Sequence, residues 1–275
     1  MKKITINLIL VIFIIAGILF LLSRVPAVQD ALFQRLAQSL ISTAPNIFPE
    51  EDSLSALVCG SKSPLPHPTR AETCVMIKAG KETFIFDVGN KSIDNLRNWR
   101  VPLNQLNSIF ISHLHSDHIA ELPEIHMWNW VGTGRQSKLK VYGPEGINQV
   151  LNGFTEAYSL DWKYRNDHHG DQFAPLKAAG FDGYEITDFS KPVYESNGIV
   201  ITAFLVDHKP IDPSLAFKIE YKGRSIVLSG DTVYSEAILN NSKDVDVLFH
   251  EAFHKGTLDM MYNALPENSS SRIGI

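Results

Sequence analysis

Ile109-Phe110-Ile111-Ser112-His113-Leu114-His115-Ser116-Asp117-His118 is an apolar, β-branched run that breaks into His-x-His-x-Asp-His. Side chains two residues apart in extended backbone point the same way, so His113 and His115 at a strand end can grip one metal ion. Asp117 and His118 fall where the chain turns into a helix, which aims them at a second position nearby. Nitrogen and oxygen donors of this kind suit zinc better than iron or manganese. Two later runs end in the same way. Ala203-Phe204-Leu205-Val206-Asp207-His208 closes an apolar strand on histidine, and Ser225-Ile226-Val227-Leu228-Ser229-Gly230-Asp231-Thr232 closes one on a carboxylate. Gly230 allows close backbone approach beside Asp231.

Composition sets the surroundings. The chain has 275 residues, 44% hydrophobic and 20% charged, which is a globular rather than a disordered balance. A net charge of −5 argues against a generic nucleic-acid binder. Two cysteines exclude a disulfide-stapled scaffold and an all-cysteine zinc module. Cys59 and Cys74 fall on strands expected to be adjacent, so a disulfide and two buried thiols are both open readings.

At the amino terminus Lys2 and Lys3 precede the apolar run Leu8 to Leu22, with no small-x-small cleavage pattern after it. Residues 1–26 are read as a signal anchor in preference to a cleaved signal peptide, and either one exports the remainder of the chain. The membrane is then a partner through this N-terminal helix, with the catalytic domain outside the cytoplasm. Residues 27–53 are read as an amphipathic segment, Ala27 to Ile41, and a Pro-containing linker. Residues 54–275 form the domain.

Within that domain, strands are expected at Ser55–Cys59, Thr73–Lys78, Thr83–Val88, Leu106–Ile111, Lys138–Tyr142, Ile199–Val206, Leu215–Tyr221, Ser225–Leu228 and Val245–Phe249. Helices are expected at Asp117–Trp130, from Glu145 to about Tyr158, and near Val233–Asn240. Residues 161–190 carry six acidic and three basic residues and read as a loop or lid. The class is α/β, with two sheets enclosed by helices.

His113-x-His115-x-Asp117-His118, His208 and Ser229-Gly230-Asp231-Thr232 together resemble the metal motifs of the metallo-β-lactamase superfamily, in the family's order. The chain is most similar to its ribonuclease Z, arylsulfatase and cyclic-nucleotide phosphodiesterase branch. Cys59-Gly60-Ser61-Lys62-Ser63-Pro64-Leu65-Pro66, Phe86-Asp87-Val88-Gly89 and His250-Glu251-Ala252-Phe253 carry that finer likeness. The resemblance implies an αββα sandwich with two Zn2+ ions at one edge. It places His113, His115 and His208 on the first metal and Asp117 and His118 on the second, with Asp231 bridging. A metal-bridging hydroxide would be the nucleophile, with Asp117 and His250 in catalytic roles and Asp87 bracing the histidine loop.

The family's last histidine is not matched: none follows His254. The expectation is a chain incomplete at its C-terminus, or a weak second site with low activity. Ribonuclease Z proper carries a flexible arm for transfer RNA, commonly inserted between the positions that His208 and Asp231 match. Only twenty-two residues separate them here, which leaves no room for one. A small ester, phosphodiester or sulfate, is therefore the expected substrate, with nucleic acid disfavoured as a partner. The competing readings are a ribonuclease Z-like 3′ tRNA endonuclease and a membrane-tethered, non-catalytic binding module. Arg165, His168 and His169 are candidates for substrate binding, and a homodimer is an open assembly.

Overall fold

The structure, a computed structural model, describes residues 52–264 without a break, together with 13–17, 20–32, 35 and 48. It divides into two compact units, Met1–Asn46 and Ile47–Ile275. In the first unit the described residues at 13–17, 20–22 and 26–32 are helical. No single helix among the described residues is long and apolar enough to cross a membrane. Phe13–Leu22 and Pro26–Leu32, bent by 89° from each other, pass that test only as a pair. The start of the expected anchor, most of the amphipathic segment beyond residue 32 and the tail 265–275 lie outside the described residues.

The second unit begins at Ile47, ahead of the expected Leu54. Phe48, expected in a linker, is buried in its core. A first sheet has the order β1 (Leu54–Gly60), β2 (Cys74–Ala79), β3 (Glu82–Phe86), β4 (Leu106–Phe110), β5 (Leu139–Gly143), β6 (Phe181–Glu185). Its first three strands are antiparallel and the rest run parallel from β3 onward. The second sheet contains β7 (Tyr194–Ser196), β8 (Ile199–His208), β9 (Ile211–Tyr221), β10 (Arg224–Leu228) and β11 (Val247–Phe249), adjacent in that sequence. Alternation along each strand sorts the two cores. Phe84, Phe86 and Phe110 meet Ile201, Leu215, Phe217 and Ile219 between the sheets. Met76, Ile85, Ile109 and Val141 point outward to a helical layer. That layer comprises α1 (Ser92–Asn98), α2 (Ser116–Ile119), α3 (Leu122–Thr133) and α4 (Ile147–His169). On the second sheet α5 (Glu236–Asn241) packs against β8, and α6 (Lys255–Ala264) comes after β11.

Two expectations are corrected. The single helix at Asp117–Trp130 is two, α2 and α3, because Pro123 at the start of α3 has no N–H to continue a ladder. The break has a use: Glu121 accepts hydrogen bonds from Lys91 N (2.5 Å) and Ile93 N (2.7 Å), amides at the start of α1. The stretch 161–190 is not a lid. Helix α4 continues to His169, a short 3₁₀ turn comes next, and β6 then pairs with β5. The charges that suggest a loop are the solvated face of that helix. Asp161 pairs with Arg165 (2.8 Å) and Lys163 with Asp167 (2.6 Å) at i,i+4 spacing, while Trp162 between them is buried.

Cys59 and Cys74 form a disulfide between β1 and β2, both buried, where the register slips between Val58 and Gly60. It closes a separation of 15 residues, for which chain-entropy arguments give roughly 3 kcal/mol. Replacing both cysteines by alanine should lower the melting temperature accordingly, and an unshifted melting curve would show that the bond contributes nothing.

His126 on α3 lies among Trp130, Trp162 and Phe181, and its Nε2 accepts the Gly180 N–H at 2.8 Å. Burial pushes its pKa down to about 4. Below the ordinary histidine value near 6.5 the unfolded chain takes up a proton that the folded chain refuses. This group therefore costs stability as pH falls from 6.5 to 4, by about 3 kcal/mol at the limit. In chelator, the wild type should lose more denaturant resistance over that interval than His126→Gln, and parallel losses would contradict this assignment.

Candidate metal centre

Strand β4 delivers the histidine motif, and the loop after β3 holds it. Asp87 takes a left-handed conformation (φ 58°) immediately after β3. Its carboxylate accepts from Ser112 N (2.8 Å), Ser112 Oγ (2.9 Å) and His118 Nδ1 (2.9 Å). Three bonds to one buried carboxylate fix both ends of the His113–His118 turn. Backbone pairs complete the frame: Val88 N donates to His118 O (2.8 Å) and Leu215 N to Ser112 O (2.9 Å). Gly89 and Gly230 permit the approach. A Cβ on Gly89 would stand 2.1 Å from Asp117 O. One on Gly230, where φ is +59°, would stand 2.5 Å from Leu215 O.

Donor atoms then converge. His113 Nε2 lies 2.9 Å from His115 Nδ1, and His208 Nε2 lies 3.4 Å from the same atom. His113, His115 and His208 offer ligand atoms within 4.8 Å of one another, and so do His113, His118 and Asp231. Asp231 Oδ2 is 3.5 Å from His118 Nε2 and 4.0 Å from His208 Nε2, so it faces both groups. Asp117 Oδ2 stands 3.7 Å from His118 Nε2. The second group is thus closed by His113, with Asp117 just outside it.

The residues fit a cation. His118 Nε2 is buried without a hydrogen-bond partner. With Nδ1 committed to Asp87, that atom faces the carboxylates of Asp117 and Asp231, and an unsatisfied buried nitrogen is costly. A metal ion there would satisfy all three. Burial works against protonation of His118, but the adjacent Asp87 charge outweighs it and raises its pKa well above the usual value. Burial and the His118 charge hold His113 down at about 2, as the neutral imidazole that a metal requires. Burial likewise lowers His208 and raises Asp117. Asp231 feels the same burial, yet its closeness to His118 brings it below the usual range.

A cavity of about 620 Å³ opens beside these groups, and Asp117 and Asp231 are in its wall. His250 lines it too, and its Nδ1–H donates to Glu251 O (2.7 Å). Arg165, His168 and His169 do not line it. They sit on the last turns of α4, where Arg165 is held by Asp161 and both histidines are exposed.

The loop between β1 and β2 contributes what sequence reading passes over. Lys62 and Glu72 form an ion pair (2.7 Å) across its neck, and His67 Nδ1 accepts from Thr69 N and Arg70 N (3.2 and 3.0 Å). Lys62, His67 and Arg70 all line the cavity. The proline pattern of Pro64, Pro66 and Pro68 is the available sign of a shaped loop, but nothing local ties it to histidines more than forty residues away. Removing the Asp87 brace tests the centre. Asp87→Ala should weaken zinc binding 10- to 100-fold in a chelator competition, with Asp87→Asn intermediate. Affinities equal to wild type in both would show that Asp87 does not support the site.

The comparisons agree with this geometry. The family described as Anti-Pycsar protein Apyc1 matches residues 58–269. Ribonuclease Z of Mycobacterium bovis BCG is 31% identical over 204 residues, covering 74% of this chain and 71% of that protein. Among solved structures, the short form of human tRNase Z superposes with a TM-score of 0.57 at 22% identity, over 74% of this chain and 80% of that one. The metallo-β-lactamase fold protein YhfI of Bacillus subtilis gives 0.54 at 18% identity, over 72% and 70%. These structural likenesses establish the fold; the sequence matches go further. By its match along 58–269 and its kinship with ribonuclease Z, the chain belongs to the Apyc1 family, in the ribonuclease Z-like branch of the metallo-β-lactamase-fold, metal-dependent hydrolases.

Proposed function

We propose that this protein is a zinc-dependent phosphodiesterase acting on a small diester. The observation that carries the reading is the convergence of His113, His115, His118, His208 and Asp231 beside a cavity that also presents Lys62, His67 and Arg70. His113, His115 and His208 would hold one cation, and His118 and Asp231 a second with Asp117 close by. Two divalent cations supply Lewis acidity to the ester and lower the pKa of the attacking water. The remaining work falls to the chain. Arg70 attracts the anionic diester, and Lys62 with Glu72 shapes the loop that carries Arg70. Asp117, raised by burial, takes the proton that the attacking water loses. His250 Nε2 returns a proton to the departing alkoxide, so one P–O bond forms, one breaks and an alcohol leaves.

A small substrate is favoured by the span between His208 and Asp231. Strand β9, the tight turn Lys222-Gly223 and β10 fill most of it, leaving no inserted arm. The ribonuclease Z relatives support the second reading, cleavage of transfer-RNA precursors, on the same centre. For location, the buried Cys59–Cys74 disulfide supports an oxidising compartment, in keeping with export behind the Leu8–Leu22 run.

The test is turnover of bis-p-nitrophenyl phosphate, p-nitrophenyl sulfate and a transfer-RNA precursor, each with and without chelator. Zinc-dependent release from the first is expected, with His115→Ala inactive and Arg70→Ala raising KM about tenfold, the order of one charged hydrogen bond. Cleavage of the precursor alone would select the second reading, and turnover of the sulfate alone would replace the phosphodiester. An unimpaired His115→Ala would place the chemistry elsewhere.

A further inference from the structure

Strand β1 loses its regular pairing where it leaves the sheet. Val58 pairs with Val75 and Gly60 with Cys74, so Cys59 is an extra residue on β1, a bulge in the ladder. Its carbonyl accepts from Asn95 Nδ2 (2.8 Å), and its sulfur is bonded to Cys74 on the facing strand. Val58, Gly60, Thr73 and Val75, the neighbours of the two cysteines, line the cavity, while Cys59 and Cys74 belong to the core behind it. The disulfide therefore stands directly behind the cavity wall, at the root of the loop 61–73. It supplies the cross-strand link at the one step where the ladder is interrupted.

The same loop is closed a second time just above that root. Ser61 N and Lys62 N both donate to Ala71 O (2.9 and 3.0 Å), and the Lys62–Glu72 ion pair is largely out of solvent, its side chains 10% and 11% exposed. Glu72 also accepts from Asn90 N (2.9 Å) and donates its own N–H to Asn90 O (3.0 Å). Beyond this neck, Thr69 N and Arg70 N converge on His67 Nδ1, so Arg70 is carried on a short closed turn. We infer that Cys59, Cys74, Lys62 and Glu72 are positioning residues: together they hold Arg70 at the cavity wall, ready for an anionic ligand. The inference rests on the phosphodiesterase reading, in which Arg70 meets the anionic diester. A loop clamped in this way is ordered on folding; a released one must be ordered each time ligand binds, and affinity falls by that cost. The histidine motif is held separately, by Asp87, so releasing the loop weakens ligand binding and leaves zinc binding as it was.

Calorimetric titration of the zinc-loaded full chain with inorganic phosphate tests this. Cys59→Ala with Cys74→Ala should weaken phosphate binding about tenfold, the order expected of Arg70→Ala, while zinc affinity in a chelator competition stays as in wild type. In an Arg70→Ala background the cysteine substitutions should add almost nothing, because the group they position is already gone. Lys62→Met with Glu72→Gln keeps the disulfide and should weaken phosphate binding in the same direction, so the inference is judged even where the cysteine variant fails to fold. Leu151→Ala, a buried truncation on α4 with a comparable loss of stability, should bind phosphate like wild type, which separates positioning from general loosening. Phosphate affinity unchanged in both loop variants, unchanged in Arg70→Ala, or lowered as much by Leu151→Ala would overturn the inference. So would losses from the cysteines and from Arg70 that add in full. The two readings fail separately. Diester hydrolysis with phosphate affinity indifferent to the loop variants removes only the present one, whereas the expected phosphate results with no diester hydrolysed remove only the phosphodiesterase reading.

Discussion

The bond set of one carboxylate organises this domain. Asp87 leaves β3 in a left-handed conformation and accepts from Ser112 N, Ser112 Oγ and His118 Nδ1, so the residues before and after the first two histidines are tied to the same group. A carboxylate buried this deeply is tolerable only when its lone pairs are satisfied, and here they are. The consequence passes outward through His118. With Nδ1 engaged, its Nε2 is turned toward Asp117 and Asp231 with no partner of its own. The cost of that orphan atom gives the site its demand for a cation.

The two sheets meet at the same place. Ser112 is bonded by Leu215 of β9, and Gly230 after β10 lies against Leu215 and Ser112 closely enough that a side chain would collide. His208 and Asp231 are therefore brought to the histidine motif by sheet packing rather than by loop conformation. Sites supported from rigid elements hold their geometry without each ligand paying its own ordering cost. The charge-rich stretch 161–190 has no part in this, because it belongs to a helix and an edge strand in the other half of the first sheet.

Much of the fold is legible in the sequence because strand and helix periods are local. The apolar alternation of β2 to β5 and of β8 to β10 falls within a few residues of its place. The misreadings have identifiable causes. Helix α4 reads as ending near Tyr158 because Asp161, Lys163, Arg165 and Asp167 look like a solvated loop until Trp162 is seen facing inward. The short strand β7, Tyr194–Ser196, has too few residues to show a period. Phe48 reads as part of a linker because its burial depends on strands distant in the chain.

By itself, the sequence determined the chemistry on offer: a strand that ends in His-x-His-x-Asp-His, with a histidine and an Asp after two later strands, commits imidazole and carboxylate donors to strand ends. Only the tertiary structure decided how those donors group. It put His113 in both clusters, turned Asp231 toward each, and left Asp117 at the border and in the cavity wall. It also set Arg165, His168 and His169 away from the cavity, whose wall the β1–β2 loop shares with Lys62, His67 and Arg70. The physical reason is the same in each case. Donor type is a property of one residue, whereas distance, burial and pairing are properties of residues that the fold brings together from far apart in the chain.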